Sequence, residues 1–126
     1  GEYHSFNPSI TIAEGEVLTV EEKFQGGTGV NITPPPLEIV SKQMLENTKL
    51  AVERAAKALE IKNYARLDLF LNTNTGKIIL IEANTLPALT PSTVIYQQAL
   101  AENPQLYPKD FLELIIDLKY NKRNLK

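Results

Sequence analysis

Apolar and polar positions fall into patches of different period along the chain. Ile10-Thr11-Ile12 and Val17-Leu18-Thr19-Val20 are rich in β-branched residues and flank Glu14-Gly15-Glu16, where Gly15 supplies a turn, so they predict a strand pair. From Lys23 to Pro36 the pattern dissolves. Gly26-Gly27-Thr28-Gly29 and Pro34-Pro35-Pro36 suit neither a helix nor a sheet interior, and predict a long loop of the kind that is often functional. Leu37, Val40, Met44, Ala51, Val52, Ala55 and Leu59 then follow the three-and-four spacing of a helical stripe, with Pro36 at a first helical position.

Tyr64 to Leu71 and Lys77 to Ala83 read as strands joined by Asn72-Thr73-Asn74-Thr75-Gly76, which has the residues of a hairpin turn. After a loop over Asn84 to Pro91, Ser92 to Glu102 predicts a helix. Pro108 to Leu118 predicts another, with Phe111, Leu114, Ile115 and Leu118 on one side. The expected architecture is α+β: a mostly antiparallel sheet in one mixed layer, with a long helix and two C-terminal helices packed on it. One unit covers 1–118, and Lys119 to Lys126 is a basic, solvated tail. The chain opens in what reads as the middle of a sheet, which predicts a fragment of a longer polypeptide.

Composition narrows the chemistry. At 126 residues there is material for one real core, and 43% hydrophobic with 22% charged residues is an ordinary globular balance. Thirteen basic against fifteen acidic residues offer no general attraction for nucleic acid or anionic lipid. With no cysteine, thiolate nucleophiles and Cys-based metal sites are excluded, and a reducing cytoplasm fits. The lone histidine, His4, argues against a Ser-His-Asp triad or a two-His zinc site. The longest strongly apolar run, Ile78 to Ile81, is far short of the ~20 residues that cross a bilayer, so no membrane role is expected. Gly26 to Gly29 lacks the Gly-Lys-Ser/Thr ending of a phosphate-wrapping P-loop.

The chemistry gathers on the second hairpin. Alternate strand residues share a face, so Arg66 and Asp68 project together, as do Glu82 and Asn84. An odd-length turn would place Arg66 opposite Glu82 and Asp68 opposite Leu80, converging all four polar groups. An even-length turn would send Glu82 to the other face. Gly76 favours the odd length, because a three-residue hairpin usually ends in a left-handed residue. Two carboxylates and an amide oxygen form a hard-oxygen set suited to Mg²⁺, with Arg66 to balance charge or hold an anionic intermediate. The alternative is a plain cross-strand ion pair between Arg66 and Glu82 on a wet sheet face.

Ala65-Arg66-Leu67-Asp68-Leu69-Phe70 and Ile81-Glu82-Ala83-Asn84-Thr85-Leu86-Pro87 resemble the paired signature of D-alanine-D-alanine ligases within the ATP-grasp superfamily. The resemblance runs from about Val17 through the final helix and implies a C-terminal ATP-grasp subdomain. It makes Asp68, Glu82 and Asn84 ligands of Mg²⁺, with Glu82 bridging the ions that hold the ATP phosphates. It makes Arg66 the group that stabilises the tetrahedral intermediate. Lys23 is similar to a loop lysine that approaches the transferred phosphate, and Phe24 to an aromatic that shapes the second-substrate pocket. A solvated charge beside a surface-anchoring ring is the competing reading of that pair.

Three positions depart from the family pattern. Ala88 stands where a glycine amide usually helps form the oxyanion hole. The serine that receives the acceptor carboxylate aligns with Thr93, Ser92 being one residue off; both can instead cap the following helix, Ser92 above all. Phe24 replaces a tyrosine common in dipeptide-forming members, a change associated with hydroxy-acid acceptors. The resemblance further implies ATP and a D-alanine or related amino or hydroxy acid as substrates, a cytoplasmic setting in peptidoglycan precursor synthesis and a homodimeric parent. It also implies a missing N-terminal part of the same polypeptide, without which the nucleotide has half a site. A different ATP-grasp carboxylate-amine ligase and a non-catalytic remnant module are the alternatives.

Overall fold

The computed structural model describes residues 2–12 and 30–124. β1 (Ile10–Ile12) pairs antiparallel with β2 (Val30–Ile32), Ile10 lying opposite Ile32. There follow α1 (Lys42–Ala58), β3 (Arg66–Leu71), β4 (Ile78–Asn84), α2 (Val94–Leu100) and α3 (Pro108–Asn124). The class is α+β, as expected, and among the described residues the strands form two two-stranded antiparallel sheets, β1 with β2 and β3 with β4.

Several boundaries differ from expectation. β2 lies inside the stretch expected to be loop: Val30-Asn31-Ile32 alternates apolar and polar, and the Thr11 hydroxyl donates to Asn31 Oδ1 across the pair at 2.6 Å. The partner expected for β1, Val17 to Val20, lies outside the described residues. The long helix begins at Lys42, not Leu37. Ser41 holds an extended conformation and its hydroxyl accepts from the Met44 amide (3.3 Å), which makes it the N-cap. Pro36 instead opens a turn, its carbonyl accepting from the Ile39 and Val40 amides. At the other end Ile61 donates to Ala56 O (3.0 Å) and Glu60 to Lys57 O (3.1 Å), with Glu60 at φ 52°. This is the Schellman arrangement, here with a glutamate in the left-handed position that usually takes glycine. α3 extends to Asn124, beyond the Leu118 end expected, so the basic stretch from Lys119 continues the helix.

The core sits where the later elements meet. Phe111 of α3 is 2% exposed and touches three rings edge-on, those of Phe6, Tyr64 and Tyr96, at centroid distances of 5.9, 6.0 and 6.1 Å. Ile95 is buried with them, and Leu89 and Ile115 pack against the cluster. Among the described residues the two C-terminal helices pack on each other through this cluster. The cluster reaches the β3–β4 hairpin through Tyr64, just before β3, and Leu89, shortly after β4. The N-terminal segment is fastened to this assembly by polar contacts: Asn7 donates its amide to Glu102 Oε1 (2.8 Å) and its side-chain Nδ2 to Ala101 O (3.0 Å). Among the described residues, no helix is long and apolar enough to cross a membrane.

Candidate active site

The hairpin that carries the polar set is shaped by its turn. Asn72 donates its amide to Lys77 O (2.8 Å), while Asn72 Oδ1 accepts from the Asn74 and Thr75 amides at 2.9 and 3.1 Å. Thr73, Asn74, Thr75 and Gly76 thus make an even-length turn, with Gly76 closing it at φ 75°. The expected odd-length turn is not formed, because the Asn72 side chain organises a longer one. By itself this turn would have put Glu82 on the wrong face.

A β-bulge reverses that outcome. The ladder runs Leu71 opposite Ile78, Phe70 opposite Ile79 and Leu69 opposite Leu80, then shifts between Asp68 and Leu69, so that Asp68 faces Glu82 and Arg66 faces Asn84. Ile81 is left over. Residues directly opposite in an antiparallel pair share a face, so all four polar side chains converge. The expected partners, Glu82 for Arg66 and Leu80 for Asp68, are each replaced by the residue two further along β4, on the same face.

Arg66 pairs first with its own strand. Its Nε and Nη2 donate to Asp68 Oδ1 and Oδ2 at 2.9 and 3.1 Å, a bidentate contact, whereas Nη2 stands 4.0 Å from Glu82 Oε1. The side chains remain open to solvent, at 42%, 36% and 62% exposure for Arg66, Asp68 and Glu82. Asn84 Oδ1 accepts from the Leu86 amide (3.2 Å), which bends the chain as it leaves β4 and leaves a second lone pair on that oxygen. Like charges directly opposite each other destabilise a strand pair, so the Asp68–Glu82 juxtaposition needs a cation. Arg66 meets that need in part. No group of three or more His, Cys, Asp or Glu side chains that could hold a metal is present among the described residues. Two carboxylates and one amide oxygen still fit Mg²⁺, which seldom receives an all-protein cage and takes its other ligands from phosphate and water.

The remaining predicted residues are placed as follows. Ala88 is exposed on the loop after β4. Thr93, not Ser92, occupies the N-cap position of α2; it makes no side-chain cap bond, and its hydroxyl lies 3.0 Å from that of Thr90. Ser92 is exposed in the preceding turn. Lys23 and Phe24 lie outside the described residues. The structure adds Phe70 and Ile79, 68% and 52% exposed and paired on the face that bears the polar set. The two-residue spacing from Asp68 was the sequence signal for Phe70; Ile79, three residues before Glu82, reaches this face only through the bulge.

The family model described as D-ala D-ala ligase C-terminus matches residues 2–117. The chain belongs to that family. Its D-alanine–D-alanine ligase relatives include one from Thermoanaerobacter sp. (strain X514), 32% identical over 95% of this chain and 34% of the relative. Another, from Desulfotalea psychrophila, is 30% identical over 91% of this chain and 35% of the relative. A third, from Pediococcus pentosaceus, is 39% identical over 64% of this chain and 22% of the relative. The chain therefore spans about a third of the length of the first two ligases. No solved structure gave a significant match.

Proposed function

We propose that the polypeptide to which this segment belongs is an ADP-forming ligase that joins two D-alanines through an acyl phosphate, for peptidoglycan precursor synthesis in the cytoplasm. This segment is its C-terminal ATP-grasp portion, and the rest of the nucleotide site comes from the remainder of the ligase. The observation that carries the reading is the facing pair Asp68 and Glu82, flanked by Arg66 and Asn84 on one exposed sheet face, in a chain of the ligase family.

The chemistry requires such a face. A D-alanine carboxylate oxygen attacks the γ-phosphorus of ATP, the bond to the β-phosphate oxygen breaks, and ADP leaves an acyl phosphate. The amine of the second amino acid then attacks the acyl carbon, loses a proton, and the tetrahedral intermediate expels phosphate. Bound Mg²⁺ supplies charge neutralisation and alignment for the phosphoryl oxygens. Asp68, Glu82 and Asn84 hold it, and Arg66, already fixed by Asp68, meets the oxyanion. The Ala88 amide is the oxyanion donor of the loop, Lys23 approaches the transferred phosphate, Phe24 shapes the acceptor pocket and Thr93 receives the acceptor carboxylate. A second reading, a ligase with a different carboxylate-amine or hydroxy-acid pair, is favoured by the engagement of the Thr93 hydroxyl with Thr90.

Glu82→Gln in the full-length polypeptide tests the proposal by ADP release with D-alanine, beside a melting curve. At 4.0 Å and with both partners largely solvated, the Arg66–Glu82 attraction contributes only ~0–1 kcal/mol to folding. The expected result is a loss of turnover on the order of a hundredfold or more with a nearly unchanged melt. Wild-type turnover in the Gln variant overturns the assignment.

A further inference from the structure

We infer that Tyr96 is a positioning residue: its hydroxyl fixes the loop between β4 and α2, and with it the backbone amide of Ala88. The inference rests on the ligase reading above, which gives that amide its role.

The loop from Thr85 to Ser92 has no ladder to hold it. The Leu86 amide is tied back to Asn84 Oδ1 at 3.2 Å, Pro87 is buried, and the Thr93 amide donates to Thr90 O at 2.9 Å. Between these points lies Ala88, exposed and without a hydrogen bond to its amide among the described residues. From α2, Tyr96 grips the middle of this stretch, its hydroxyl donating to Leu89 O at 3.0 Å. Leu89 O lies in the Leu89–Thr90 peptide plane, so fixing it restrains that peptide and, with Pro87 buried on the other side, narrows the path the chain can take through Ala88.

Tyr96 is itself immobilised. It is 8% exposed, it sits in the first turn of α2, and its ring meets Phe111 edge-on at 6.1 Å. A rigid core thereby reaches one atom of an otherwise weakly held loop. Where a glycine would leave the path at position 88 free, alanine narrows it, and an external tie selects which of the remaining conformations is kept. The catalytic value of an oxyanion donor depends on such prior placement, because donors that must reorganise during the reaction lose their advantage.

Tyr96→Phe keeps the ring and removes only the hydroxyl bond. Phe6→Leu is its comparator, since it weakens the same aromatic cluster without touching the loop. Both are made in the full-length polypeptide and read by ATP-dependent ligation of D-alanine and by backbone amide order parameters at Ala88 and Thr90. Tyr96→Phe is expected to lower kcat by about ten- to a hundredfold with KM for ATP unchanged, and to lower the order parameters at both amides. Phe6→Leu is expected to lower the melting temperature but to keep wild-type kcat. Wild-type kcat in Tyr96→Phe, or an equal fall in Phe6→Leu, overturns the positioning role. If the wild-type polypeptide ligates nothing, the ligase reading has failed, and unchanged order parameters in Tyr96→Phe would then separately refute the tie between Tyr96 and the loop.

Discussion

Phe111→Ala should cost about 4 kcal/mol of folding free energy. Buried Phe-to-Ala changes cost about 3–5 kcal/mol when surroundings relax only in part. Here relaxation is poor. Tyr96 is held by its hydroxyl bond to Leu89, Tyr64 is committed to the entry of β3, and Phe6 lies between polar contacts at Ser5 and Asn7. Three edge-on ring contacts disappear with Phe111, each of the kind that adds about 0.5–1.5 kcal/mol beyond buried area, which keeps the value away from the low end of the range. A domain of this size holds only about 5–15 kcal/mol in total, so the variant should be close to unfolding at physiological temperature. Urea titration followed by far-UV circular dichroism measures the loss. There is no tryptophan, so the near-UV tyrosine signal reports on the packing of Tyr64 and Tyr96. The neighbouring, 37% exposed Leu112 provides the contrast, its alanine variant costing less than about 1 kcal/mol. A loss below about 1.5 kcal/mol in Phe111→Ala would show that the rings do not form one cooperative centre.

Deleting Ile81 should remove the bulge and leave Asp68 opposite Glu82, because Leu80 and Glu82 would become successive residues on alternate faces. Cross-strand NOEs between Asp68 and Glu82 check this, and NOEs pairing Leu67 with Glu82 would contradict it. Glu60→Gly should raise stability by about 0.5–1 kcal/mol, since a side chain at φ 52° gives way to the residue suited to it, less the entropy of the freer unfolded chain. An unchanged or lower urea midpoint would show that Glu60 is not strained.

Much of the candidate site was legible because alternation within a strand is a local property. Arg66 with Asp68, and Glu82 with Asn84, share faces whatever the partner strand does. The relation between the two pairs was not legible in the same way. It depends on turn length, which the Asn72 side chain decides through bonds to two amides, and on a bulge whose position no local propensity marks. The long helix was visible in its apolar spacing, but its start was misjudged. Pro36 is compatible with a first helical turn, and only the conformation of Ser41 shows that the cap comes later. Val30-Asn31-Ile32 escaped because three residues between glycines and prolines carry too short an alternation to outweigh their surroundings. Tyr96 drew no notice for a different reason. A tyrosine on the apolar side of a helix looks like core, and the carbonyl it holds lies in a loop whose fold the sequence does not specify.

The hairpin contains two shifts of one residue that cancel. The even turn moves β4 out of phase with β3, and the surplus residue in β4 restores the phase before the acidic positions are reached. In coding terms this is a frameshift and its suppressor, written in side-chain direction instead of nucleotides. At fixed sequence, re-pairing the strands through a three-residue turn while the bulge stays, or flattening the bulge while the even turn stays, turns the carboxylate of Glu82 to the opposite side of the ribbon. Losing a residue is different, because the pairing can close over the gap: without Ile81, Leu80 and Glu82 still take their places opposite Leu69 and Asp68. The site therefore tolerates a gap in this ribbon better than it tolerates slippage of one strand against the other.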